Sequence, residues 1–160
     1  MDSENAYQKM LTAHLDSVFY GKAWHGASLL GTIRRLDSKQ AILENREGFS
    51  PWKILLHCAY WKFDVRRALS QSAEQPTFPR KPRDFPRLPD VPDEQAWRAD
   101  KEFLEEQHIA LRNVVESFPT ELLDEVPPKR SFTYAGLVLG AASHDVYHTA
   151  HIRNLGVVLF

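Results

Sequence analysis

From Trp97 to Phe118 the positions Trp97, Lys101, Leu104, His108, Leu111, Val115 and Phe118 alternate spacings of four and three. That register puts one face of a long helix against neighbouring helices and is incompatible with the two-residue alternation of a strand. The same period governs Tyr7, Met10, Leu11, His14, Leu15, Val18 and Phe19. It returns in Ile54, His57, Cys58, Trp61, Val65 and Leu69, and again from Leu137 and Ala141 through Ile152 and Leu155. A helix that is apolar on one face must bury that face, and four such helices without a strand pattern predict an all-α fold. The expectation is an antiparallel four-helix bundle formed as a single domain over residues 1–160.

The boundaries are written in capping residues and prolines. Ser3 can cap the first helix, which Gly21 ends. A Gly-containing bend over 23–30 leads into a short helical stretch ending near Leu36, and Asp37-Ser38 offers a cap for a turn or two through Leu43. Ser50-Pro51 pairs a capping hydroxyl with a proline at the first helical position, so the second long helix should run to about Ser70. Six of the ten prolines then fall within 71–92, which predicts a long connection that either straps the fold or acts as a lid. The third long helix starts at Asp93, and Pro119-Thr120 breaks it. Ser131 or Thr133 caps the last, which should reach about Val157.

Lys and Arg total 20 against 21 Asp and Glu, and the best basic cluster (Arg80, Lys81, Arg83, Arg87) lies among prolines without stacking aromatics. That argues against nucleic acid as a partner. The single cysteine, Cys58, excludes an internal disulfide and fits a reducing cytoplasm. The acidic, polar N-terminus does not read as a signal peptide, and no apolar run is long enough to span a bilayer, so the expectation is a cytoplasmic protein without a membrane partner.

Three of the seven histidines, His144, His148 and His151, lie within eight residues on the inward stripe of the last helix. One inward histidine is usually a hydrogen-bonded core residue, but two at i, i+4 on a buried face suggest a shared metal ion. His57, in mid-stripe on the second long helix, is the best third ligand. Three neutral imidazoles leave coordination positions open for water and substrate. Asp145 stands where a zinc protease needs glutamate, on a shorter arm, so a peptidase is not read. Cys58 is turned by about 100° from His57 around the helix and reads as a small buried neighbour. His108 and His14 read as core or boundary residues with a hydrogen bond. His25 either lines a pocket mouth or bonds its own turn, and Tyr147 either lies near the metal or packs.

The segments Leu55-Leu-His-Cys-Ala-Tyr-Trp-Lys62 and His144-Asp-Val-Tyr-His-Thr-Ala-His-Ile152, with the Ala23-Trp-His-Gly26 bend and the proline-rich stretch, resemble the DinB-like (DinB/YfiT) superfamily. The resemblance covers nearly the whole chain. It implies a four-helix bundle that often dimerises, with a divalent metal, zinc or nickel foremost and iron or manganese as further options, held by His57, His144 and His148. Characterised relatives include transferases and isomerases that use low-molecular-weight thiols, and others are assigned as metal-dependent hydrolases. The implied function is therefore thiol S-transfer or hydrolysis of a small molecule, the alternative being a non-catalytic metal-binding stress or interaction module. Where the family often carries Gly-Gln after the second histidine of the pair, this chain carries Ala150-His151, which leaves the role of His151 open.

Overall fold

The computed structural model describes residues 4–70 and 76–156, and among these all helices and strands recognised are helices. They are α1 (Glu4–Tyr20), α2 (Leu29–Ile33), α3 (Ser38–Ala41), α4 (Pro51–Leu69), α5 (Glu94–Ser117) and α6 (Tyr134–Asn154), with a 3-10 turn at Thr120–Leu122 before α6. None is long and apolar enough to cross a membrane.

Local chemistry sets these limits. Ser50 Oγ accepts from Lys53 N at 3.3 Å with Pro51 opening α4, and Asp93 Oδ1 accepts from Ala96 N at 2.8 Å to open α5. Asp37 and Gln40 form a reciprocal capping box on α3. Thr133, not Ser131, caps α6 by accepting from Gly136 N at 3.0 Å. The short helices end earlier than expected, at Ile33 and Ala41. The expected cap at Ser3 and helix end at Val157 lie outside the described residues.

The four long helices close a circuit in which α1 and α4 each pack on both α5 and α6. Hydrogen bonds fix the directions. Gln8 Nε2 donates to the Phe118 carbonyl while Asp16 meets His108, so α1 and α5 are antiparallel. Trp52 donates to Asp100 and Lys62 meets His108, so α4 and α5 run parallel. His57 meets His144 and Lys62 meets Asp145, while Asp64 pairs with Arg130 just before α6, so α4 and α6 are antiparallel. The expectation of antiparallel neighbours therefore fails at α4–α5 and, in consequence, at α1–α6, because the long connection between α4 and α5 returns the chain to the end from which α4 started.

That connection is pinned. Phe78 is buried against Tyr60, Phe63 and Phe103, and Arg80 pairs with the buried Asp100. Arg87 N donates to the Lys81 carbonyl at 3.1 Å, Pro86 is buried, and Leu88 packs on the core. The Lys81–Pro82 peptide is cis.

Two apolar clusters fill the interior. One gathers Trp52, Leu55, Trp97 and Leu104; the other gathers Leu15, Val65, Leu111 and Val138. Between them along α4, α5 and α6 come Lys62, His108 and Asp145, each at most 1 % exposed. Lys62 Nζ donates to Asp145 Oδ2 at 2.5 Å and lies 3.4 Å from His108 Nδ1. His108 stacks on Phe19 and reaches Asp16 through Nε2 at 3.0 Å. A polar layer thus separates two apolar ones.

Candidate metal centre

His57 is borne by the middle of α4, where the stripe faces α6; His144 and His148 stand one turn apart on α6, facing back. His57 and His148 are buried and His144 is partly so. One ring nitrogen from each lies within 4.8 Å of the others, so this group could hold a metal ion. His57 Nε2 and His144 Nε2 are 3.1 Å apart. Two imidazole nitrogens bound to one ion at about 2.05 Å stand roughly 2.9 Å apart at a right angle and 3.3 Å at the tetrahedral angle. The observed separation falls between these limits, and it is also short enough for one ring to donate to the other.

The proline-rich connection sets the orientation of His57. Its Nδ1 lies 2.9 Å from the Asp84 carbonyl and 3.0 Å from Asp84 Oδ1, both acceptors, so the proton belongs on Nδ1 and the Nε2 lone pair faces His144. Asp84 achieves this double contact from a left-handed backbone, φ 70°, and its Oδ1 also accepts from Trp61 Nε1 at 2.8 Å. Phe85 covers the other side of His57, ring on ring, with centroids 4.0 Å apart.

The electrostatics favour neutral ligands. Burial lowers the pKa of His57, opposed by Asp84. Burial, then His57 and Lys62, brings His144 down to about 4. Burial, then His144, His57 and His151, brings His148 down to about 3. His148 Nδ1 is buried without a hydrogen-bond partner among the described residues. Rings kept unprotonated at neutral pH, with lone pairs converging, have the chemistry that metal ligands need. A cleft of ≈ 580 Å³ opens onto them between Phe49, Phe85, Trp61, Tyr147 and His151.

The structure brings His57, His144 and His148 together. His151 stands beside them, its ring centroid 5.8 Å from that of His148 and its Nδ1 buried without a partner among the described residues, but it is not in the group of converging nitrogens. Cys58 is fully buried, and burial pushes its thiol well up. With His144 and Asp145 it makes a second group with ligand atoms at metal-compatible distances. The Asp145 carboxylate accepts from Lys62 through Oδ2. Tyr147 is largely exposed at the cleft mouth. His25 is exposed in its turn and lines a separate small cleft with Val146 and Arg153. His108 is a core residue as expected; His14, placed on the α1 stripe by its spacing, is exposed.

Sequence reasoning missed Asp84, Phe85 and Lys62. Lys62 did leave a signal, since it follows Cys58 by four positions and so falls on the buried side of α4, whereas Trp61, assigned inward, is only partly buried. Nothing in the sequence tied Asp84 to a histidine 27 residues earlier.

No curated protein and no solved structure matches the chain significantly. A sequence model described as the DinB superfamily matches residues 23–152, a span that holds all three converging histidines and the connection that orients His57. The chain therefore belongs to the DinB superfamily.

Proposed function

We propose that this chain is a divalent-metal-dependent enzyme of the thiol S-transferase or hydrolase type, acting on a small molecule, with His57, His144 and His148 as ligands. The observation that carries this reading is the convergence of three burial-neutralised imidazoles on an open cleft. Superfamily membership supports it, as does the second contact that Asp84 makes with His57, the arrangement typical of ligating histidines. Bound there, a divalent ion, zinc or nickel first among the candidates, supplies Lewis acidity that lowers the pKa of a thiol or water. Asp84 and Phe85 hold the His57 ring in one tautomer and one plane. Phe49, Phe85 and Tyr147 wall the cleft and limit water. His151 at the mouth is placed to accept the proton that a thiol or water gives up. The same reading takes the circuit of long helices as one four-helix-bundle domain.

The test is the metal content of untagged protein purified without added metal, beside a His57→Ala, His148→Ala variant. About one ion per chain, lost in the variant, is expected. Protein that carries none and takes up neither zinc nor nickel overturns the proposal. Turnover of a low-molecular-weight thiol with an electrophile by the loaded protein then separates an enzyme from a metal-binding module.

A further inference from the structure

A cleft of ≈ 840 Å³ lies beside the metal centre, between the turn at 45–49 and the loop at 81–87. Its charged lining is Lys53, Lys81, Arg83 and Arg87, with no carboxylate among the lining residues. Lys53 is engaged, with Glu44 Oε1 at 2.6 Å and the Gly48 carbonyl at 3.0 Å. Lys81, Arg83 and Arg87 are exposed and make no side-chain hydrogen bond or ion pair among the described residues. Asp84, the carboxylate within the same loop, is turned to His57 and Trp61. Like charges gathered in a concavity repel one another, and an anion relieves that repulsion. The backbone that carries these cations is held, because the Arg87–Lys81 backbone bond closes the loop and Pro86 is buried.

Two aromatic side chains join this cleft to the metal centre. Phe49 and Phe85 line both. Phe85 rests on His57, and Phe49 meets the edge of His151 with centroids 5.3 Å apart. A molecule held by its charged end among the cations would lay its body across these rings toward the imidazoles. The volume suits a small molecule, for which sites of about 300–1,000 Å³ are usual. A chain of net charge −1 does not suit a polyanion.

We propose that this cleft binds the carboxylate or phosphate end of a small molecule with an apolar or aromatic body, Lys81, Arg83 and Arg87 holding the anion and Phe49 and Phe85 the body. It rests on the metal-centre reading only for what that body then meets.

The test is titration of the full chain, metal-free and zinc-treated, with phenyl phosphate, benzoate and benzyl alcohol, followed by calorimetry and by amide NMR shifts. The anions should bind with shifts at 81–87 and 48–49, more weakly as salt rises, and the arms show which anionic group is preferred. The Arg83→Ala, Arg87→Ala variant, altered only at exposed side chains, should bind them at least about tenfold more weakly at unchanged zinc uptake. Equal binding by wild type and variant, benzyl alcohol binding as tightly as the anions, or shifts confined to the histidines would each overturn the proposal. If zinc is not taken up while the anions still bind and are lost in the variant, the metal reading falls and the anion site stands.

Discussion

Replacing Lys62 by methionine removes the one side chain that hydrogen-bonds the Asp145 carboxylate among the described residues. Both side chains are 1 % exposed, the bond is 2.5 Å, and Asp145 Oδ1 has no partner of its own among the described residues. Methionine keeps the length and apolar stem of lysine, so packing changes little. What changes is that a carboxylate inside the polar layer loses its compensation, which costs about 3–5 kcal/mol. Asp145→Leu alone strands the ammonium, with only His108 Nδ1 at 3.4 Å and the Phe19 face at 4.8 Å beside it, at a similar cost. The double variant strands no charge, only the His108 Nδ1 acceptor, and should lie within about 2 kcal/mol of wild type, because a buried pair replaced by apolar groups is often neutral or better. The coupling energy from urea unfolding is therefore expected to exceed about 3 kcal/mol, a large part of a total stability of about 5–15 kcal/mol. The buried Trp52 and Trp97 supply the fluorescence signal. Additive single costs in the double variant, or single costs under about 1 kcal/mol, would refute the argument.

Asp84→Gly keeps the left-handed backbone and the carbonyl but deletes the carboxylate, so zinc affinity by chelator competition should fall about tenfold with the fold intact. Gly140→Ala should raise stability by about 0.5–1 kcal/mol in urea, since an added Cβ meets nothing within 4 Å on a helix. His144 and His148 have folded values of about 4 and about 3 against an ordinary 6.5, so folding favours their neutral forms. The stability they permit is present above about pH 6.5 and lost as pH falls toward 4; urea midpoints of metal-free protein should drop over that range, less steeply in His148→Phe.

Periodicity and caps made the long helices legible, because burial of one face is written in spacing and Ser50-Pro51, Asp93 and Thr133 are local signals. His57, His144 and His148 were legible for the same reason: each falls on a buried stripe. Helix direction was not, since the spacing within 94–117 is the same whichever way α5 runs. Nor was the partner of a buried charge, because Lys62 and Asp145 are 83 residues apart and meet only when α4 and α6 do. His14 marks the converse limit. A stripe has a width, and the packing of α1 leaves its rim in water.

Asp84 and Phe85 are neighbours in the chain and both rest on His57, one through hydrogen bonds and one through its ring. Their contacts are consequently lost or regained together: opening of the 81–87 loop would uncover the ring and free its tautomer in one event, while Phe78 and Leu88 stayed anchored. For an ion held by His57, that makes exchange a gated process, with a release rate tied to the frequency of loop opening. The three ligands belong to α4 and α6, while the loop between α4 and α5 would set the release rate and, through Asp84, part of the affinity.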